Sequence, residues 1–550
     1  MRPHNTRYSR FYLIYHRGHK VDFAPFSELG CGKVDEGPCW LFCSDNFSKL
    51  PVDIGYRHEN GDGVYLRIFH GPESINFETD EMSGVPAFWM EKGQWAIVAS
   101  DLRLMIDIGK ILRLDLKIDL TSASEFLITG YVFTHQKTLI QDVSLLPPTH
   151  RLELNVLKGN VKIENFGEEV KYSVHRLDKK DAPMILRNTL EKGFKRHSDK
   201  KIALLLSGGG SSRILASCAV AAGLDVDFYT FGQSTVNDSD FSIANKVAYH
   251  LGKKTRCYAT SGENFMSHLK KRAGFSNWTN DSIWWAARIP DAFFEAIGKY
   301  DLVVRGDGDG CYGWGGNRVS ISDILHLFEI TPNEVSPRFN KYFSDSDQVF
   351  GPSMDSRNKL VSKYEKLKGP YLELKNILYR EIRECHGAAP GTWYFSRFIP
   401  VDAPFLWEDS LRVAFSLPTD KLVVRWVIFA ALELDEKIKG IPFSGSGSWN
   451  NRLEFYYSGV WEELIAYSEK WSPWKLNIHE LQKEFLKPPE IPRTPSFKSY
   501  LLQSMKKSLN NNLIRRIAFQ YFPHLAHSSM SDRLVIRLAL ISNLCEAIND

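Results

Sequence analysis

Three short segments carry residues whose types and spacing suit chemistry on a small charged ligand. The first, LLLSGGGSSR from Leu204 to Arg213, stops an apolar strand at a glycine-rich turn and starts a helix. Such a turn presents backbone N–H groups at the positive end of a helix, where phosphate is stabilised. Gly208, Gly209 and Gly210 form the bend, and Ser207, Ser211 and Ser212 add hydroxyl donors. A tight strand-to-helix turn with a serine cap is the plain structural alternative. The second segment, VVRGDGDGCYGWGGN from Val303 to Asn317, places Asp307 and Asp309 on a loop after another apolar strand. Alone, DGDG reads as a solvated Asp-Gly turn; following a strand, it suits a site. The third, EKIKGIPFSGSGSW from Glu436 to Trp449, sets Lys439 six residues before Gly445. Its alternative is a surface lysine on an ordinary loop.

Regular elements must bring these segments together. Apolar strands at Ile202 to Leu206, Val226 to Phe231 and Thr255 to Tyr258 alternate with helical patterns at Ser212 to Ala222 and Phe241 to Leu251. This rhythm predicts a doubly wound parallel sheet, and Leu302 to Val304 adds a further strand. From about residue 50 to 155 short alternating or apolar runs, such as Val64 to Ile68 and Trp95 to Ala99, predict a strand-rich domain with little helix. A charged connector, His175 to Asp181, leads into a helix over Ala182 to Lys195, which puts a domain boundary near 160 to 180. The rest is mostly helical in pattern. Pro488 to Pro495 reads as a loop, and Ser496 to Arg516 carries a basic bias that suits a solvated helical face.

At this point the chain resembles the asparagine synthetase family. Ser207, Gly208, Gly209 and Ser212 match that family's SGGxDS loop. Asp240, Ala244, Val247, Ala248, Leu251 and Gly252 follow its acidic helix, with Asp240 where Glu is usual. The resemblance implies that Leu206 and Phe231 flank an adenine. It also implies a carboxylate on magnesium at position 211, where this chain has Ser211. Magnesium needs only one or two carboxylates when phosphates and water supply the rest. The DGDG loop resembles the family's GEGxDE segment. Gly306 and Gly308 then match its glycines, Asp307 stands for an acid/base glutamate, and Asp309 supplies the remaining metal carboxylate. Val401 to Pro418 resembles the family's PFLD helix with Trp407 in the Asp place, which suits packing. Lys439 resembles the lysine of the β-lactam synthetase loop, where a cation steadies an acyl-adenylate and the oxyanion formed on amine attack.

Glu78 to Leu102, with Asp80, Gly84, Pro86 and Ala99-Ser100-Asp101, resembles class II glutamine amidotransferase domains, and Glu125 to His150 resembles their connector. That chemistry needs a cysteine as the first mature residue. Position 2 is Arg2 and the earliest cysteine is Cys31, so the expectation is a domain without glutaminase activity.

Composition bounds the remaining classes. At 550 residues the chain exceeds one core, and two to three domains are expected. A net charge of +4 gives no case for nucleic acid or an anionic membrane. Cys31, Cys39, Cys43 and the other five cysteines form no CxxC pair or zinc spacing, and read as reduced thiols. The run Phe11 to Tyr15 is too short for a signal peptide, and no apolar stretch approaches about 18 residues. A soluble cytoplasmic location is expected.

The expected fold class is therefore α/β multidomain. Residues 1–160 form a β-rich amidotransferase-like sandwich of the N-terminal-nucleophile type, degenerate in its chemistry. Residues 175–465 form a parallel-sheet ATP pyrophosphatase (PP-loop) domain, and 466–550 a helical extension. The expected function is ATP-dependent amide formation through carboxylate adenylation, with ATP and Mg2+ as cofactors and small-molecule or peptide carboxylates and amines as substrates. A homodimer or a biosynthetic partner protein is compatible with it. An inactive family member kept as a scaffold or binding subunit is the alternative; a PP-loop sulfurtransferase ranks last, for want of a cysteine pair near either loop.

Overall fold

In a computed structural model, the described residues of the N-terminal part of the chain form eleven strands and two helices. The structure describes residues 11–17, 26, 29, 32–33, 39–43, 52–57, 63–80, 83–134, 136–158, 160–165, 177–232, 240–260, 264–279, 286–312, 340–365, 389–417, 426–443, 459–486 and 523–549. In chain order come β1 (Phe11–His16), β2 (Gly32–Lys33), β3 (Cys39–Cys43), β4 (Val52–Arg57), β5 (Gly63–His70), β6 (Ser74–Thr79), β7 (Phe88–Lys92) and β8 (Trp95–Ala99). Then follow α1 (Leu102–Ile111), α2 (Leu120–Thr129), β9 (Ser144–Leu145), β10 (His150–Asn155) and β11 (Val161–Asn165). Two antiparallel sheets result, ordered β2-β3-β1-β8-β7-β9 and β11-β10-β6-β5-β4.

Burial explains the strand patterns. In β5, Val64, Leu66 and Ile68 are buried between half-buried neighbours, the alternation of a sheet with one covered face. Phe11, Leu13 and Tyr15 of β1 share a core with Leu66 and Ile68, Phe77, Val98, and Leu152 and Leu154, so the two sheets face each other. Tyr12 and Ile14 belong to the other core, with residues of α1 and α2. Strand β1 is therefore apolar at nearly every position.

The two helices within the expected strand-rich region are a finding the sequence reading missed. Helix α2 is buried at every position from Ser122 to Thr129, so it shows no apolar stripe at helical spacing. Its start is fixed by Asp119, which accepts from Ser122 N at 2.9 Å, and that of α1 by Asp101, which accepts from Leu104 N at 2.8 Å.

The next stretch builds a parallel sheet. It comprises α3 (Ala182–Phe194), β12 (Ile202–Leu205), α4 (Gly210–Ala221), β13 (Val226–Gly232), α5 (Asp240–His250), β14 (Thr255–Ala259), α6 (Phe265–Ala273), α7 (Asp291–Ile297) and β15 (Leu302–Val304). After α8 (Ser346–Glu365) and α9 (Ala389–Ser396), β16 (Val401–Asp402) completes the sheet. All four pairings are parallel, in the order β14-β13-β12-β15-β16. Strand order reverses between β12 and β15. In open α/β sheets the crevice at the carboxyl ends of such a strand pair is where ligands bind.

Helices α10 (Glu408–Phe415), α11 (Trp426–Glu433), α12 (Val460–Trp471), α13 (Ile478–Phe485) and α14 (Pro523–Asn549) follow. One hydrophobic core runs through residues of the first 160 positions and of the parallel-sheet part. Polar contacts cross the same region. Arg397 and Asp101 form a buried ion pair at 3.1 Å, and Trp393 Nε1 donates to the Ser83 carbonyl at 2.6 Å. From α14, Arg537 donates to the carbonyls of Leu127 and Ile128 at the end of α2, at 3.1 and 2.6 Å.

Residues 166–176 of the expected boundary, the 488–495 loop and the 496–516 basic stretch lie outside the described residues, as does Cys31; of the Cys39 and Cys43 thiols nothing is described. Among the described residues Cys218, Cys257 and Cys545 are free thiols, and no helix is long and apolar enough to cross a membrane.

Candidate active site

The glycine turn leaves the carboxyl end of β12, the middle strand of the parallel sheet. Leu206 is buried and its N–H donates to the Tyr229 carbonyl at 2.8 Å, extending the pairing with β13 by one residue. Gly209 is then extended at φ −79° and ψ 160°, and α4 begins at Gly210. Three turn amides have side-chain acceptors. Ser207 N donates to Ser212 Oγ at 3.0 Å, Gly208 N to Asp240 Oδ1 at 3.0 Å, and Gly209 N to Ser207 Oγ at 3.2 Å. Helix α4 itself has no side-chain cap, so its first-turn N–H groups receive no acceptor from Gly209.

The acidic loop leaves β15, the strand beside β12, and meets the turn directly. The Ser211 hydroxyl donates to the Asp309 carboxylate. Gly306 packs against the turn: a Cβ there would stand at ordinary contact distance, 3.4 Å from Ser211 Cβ and 3.6 Å from Ser212 N. Gly308 has φ +87°, and a Cβ on it would fall 2.5 Å from the Leu406 side chain. The positions called Ser211, Ser212, Gly306 and Asp309 from the sequence thus lie together.

Asp307 lies on the same loop and has its own set of partners. Its carboxylate is paired with Arg305, Nε to Oδ2 at 2.8 Å and Nη2 to Oδ1 at 3.2 Å, and Thr392 Oγ1 donates to Oδ2 at 2.7 Å. Arg305 is fixed in turn by the Gly391 carbonyl at 3.0 Å and by the Phe395 ring, 4.5 Å away. Arg305 and Thr392 together fix the position of this carboxylate.

Among the described residues no hydrogen bond or ion pair joins Lys439 to the turn. Its ammonium pairs with Glu436, both side chains are largely exposed, and its backbone N–H donates to Asp435 O at 2.9 Å. Gly445 to Gly447 lie outside the described residues. Two residues beyond Lys439, however, the chain touches the turn. Arg213 of α4 donates to the carbonyls of Ile441 and Pro442 at 2.8 and 2.5 Å, and to that of Gly208 at 2.8 Å. Phe231 is half-buried, edge-on to Phe293 at 5.4 Å.

Several buried polar groups near these loops escaped the sequence. His197 Nε2 lies 3.0 Å from Asp402 Oδ2, its Nδ1 lies 3.1 Å from Tyr56 Oη, and Trp407 Nε1 donates to both Asp402 oxygens at 3.0 and 3.1 Å. Trp407 is fully buried, as a packing residue should be. Asp402 ends β16 and its carbonyl accepts from Arg305 N at 3.0 Å, so this cluster backs the acidic loop. A lone His and an Asp, 205 residues apart, carry no spacing signal.

For a metal, the donor set is thin. Among the described residues no group of three or more His, Cys, Asp or Glu could hold an ion. At the turn Asp309 lies beside the neutral Ser211, Asp240 accepts from Gly208 N, and Asp307 is paired with Arg305. These residues do not fit a resident two-carboxylate magnesium centre. The chain matches no protein-family model and no curated protein.

Proposed function

We propose that this chain is an ATP-using carbon–nitrogen ligase related to the asparagine synthetases. It would activate a carboxylate as its adenylate, release pyrophosphate and join the acyl group to an amine. The observation that carries the proposal is the contact between the glycine turn after β12 and the acidic loop after β15, at the carboxyl ends of adjacent parallel strands where the order reverses. In this proposal residues 175–465 are the doubly wound PP-loop domain and residues 1–160 a sandwich of the N-terminal-nucleophile type. The amine comes with the substrate, a small molecule or peptide.

The turn's part is positioning. First-turn N–H groups of α4 and the hydroxyls of Ser207, Ser211 and Ser212 would orient the phosphates, with the chain at Leu206 and Phe231 bordering the base. A magnesium ion carried in on the nucleotide would add charge neutralisation, with Asp309 as its protein carboxylate. Asp307 would keep Arg305 and the loop in place, and Lys439 would serve the acyl transfer only after leaving Glu436.

A scaffold or binding subunit without turnover is the alternative, favoured by one observation: the amides of Ser207, Gly208 and Gly209 already have side-chain acceptors. Incubating the purified chain with ATP, candidate carboxylates and amines separates the two. Pyrophosphate and AMP formed in step with an amide support the ligase; ATP bound but never cleaved supports the subunit.

A further inference from the structure

Arg213 sits in the first turn and a half of α4 and is 2 % exposed. Its Nη1 and Nη2 meet three backbone carbonyls, of Ile441, Gly208 and Pro442, and its guanidinium lies 4.4 Å from the centre of the Phe443 ring. Each of these partners is neutral. No ion pair to Arg213 occurs among the described residues, and its buried Nε has no hydrogen-bond partner. Asp240, the acidic group on this side of the turn, has one oxygen on Gly208 N.

A guanidinium taken out of water without a counter-charge is unfavourable, and the structure compensates it only with dipoles. Burial draws its pKa down to about 10, while Asp240 acts in the opposite sense. An anion arriving at the turn would give the guanidinium, held there by its bond to the Gly208 carbonyl, the charge partner it lacks. Guanidinium suits phosphate oxygens in both geometry and strength.

We infer that Arg213 is a phosphate-binding residue, a fixed cation within the turn that takes up charge on a nucleotide's phosphates where Ser211 leaves no second magnesium carboxylate. The inference rests on the nucleotide reading above. A pair of carboxylates repels a polyphosphate and accepts it only with a divalent ion between them. A hydroxyl at 211 and a guanidinium at 213 attract it directly. Binding therefore survives chelation of magnesium.

Titrations of the full chain with ATP, and separately with inorganic pyrophosphate, in Mg2+ and in EDTA, test this. The wild type is expected to bind both in EDTA within about tenfold of its affinity in Mg2+. Arg213→Gln is expected to weaken binding in EDTA by on the order of tenfold to a hundredfold, the range for a charge-assisted hydrogen bond, and Arg213→Lys by less. Because Arg213 also holds Ile441 and Pro442, each variant is first shown by circular dichroism and thermal melting to be folded. Should Arg213→Gln not fold, Arg213→Lys and the wild-type comparison decide. Wild-type binding that needs Mg2+ and is unchanged in Arg213→Lys or Arg213→Gln overturns the inference but leaves the nucleotide reading standing. No binding of either probe in any condition overturns both.

Discussion

The Ser211 hydroxyl donates a hydrogen bond to the Asp309 carboxylate, joining two loops 98 residues apart at the ends of neighbouring parallel strands. A neutral donor thus satisfies the Asp309 carboxylate, and in the proposed nucleotide site it stands where a second carboxylate would bring in a divalent ion.

Ser211→Asp is expected to reverse that arrangement. Two carboxylates in contact repel each other unless a cation lies between them. The variant should melt lower than wild type in EDTA and regain a few degrees in Mg2+, with ATP binding becoming magnesium-dependent. Equal magnesium responses in the two proteins would show that position 211 does not face a metal or phosphate.

Asp307→Asn separates holding from chemistry. It leaves the partly buried Arg305 without its counter-charge, a loss of about 1–3 kcal/mol for a charge-assisted interaction. Urea unfolding is expected to shift accordingly. A variant as stable as wild type that has lost all turnover would instead place Asp307 among the reacting groups.

How far the sequence could be read follows from range. Strands β12, β13 and β15 were legible to within a residue or two because strands buried on both faces are apolar runs bounded by turn residues, whereas the half-exposed edge strand β14 was placed by the alternation of strands with helices. The glycine turn was legible because its backbone demands are local. Helix α2 was not, since burial on every side erases periodicity. Strand β16, two residues long, gives no pattern at all. The partners that decide the site are remote in sequence: Thr392 on Asp307, Ile441 on Arg213, Asp402 on His197. No spacing rule reports such pairs, and Lys439, chosen on spacing, is found beside Glu436.

Glu125 offers a test in pH. Burial holds its carboxyl above the ordinary glutamate value, with hydrogen bonds from Thr134 and Phe133 acting the other way. The folded chain then binds this proton more tightly than the unfolded chain. The contribution is complete below the unfolded value of about 4.3 and is lost as pH rises through the raised folded value. Unfolding free energy of wild type relative to Glu125→Gln is expected to fall from about pH 4 upward. A difference that is flat or rises with pH contradicts the assignment.

Arg537→Ala probes the C-terminal helix. It strips the guanidinium from the buried Leu127 and Ile128 carbonyls at the end of α2. Loss of about 2–4 kcal/mol is expected from unsatisfied buried acceptors together with lost packing. A shift within about 0.5 kcal/mol of wild type, the range of ordinary surface changes, would mean that the Arg537 bonds to α2 add little to the fold.

The central claim is that the turn from Leu206 to Ser212 grips the phosphates of a nucleotide. Calorimetric titration of the full chain with ATP addresses it most directly. The expected result is saturable binding that inorganic pyrophosphate displaces and that Ser212→Ala, which removes the hydroxyl ordering Ser207, weakens. An absence of saturable binding up to about millimolar ATP, a concentration at which even contacts worth only about 4 kcal/mol register, would contradict it.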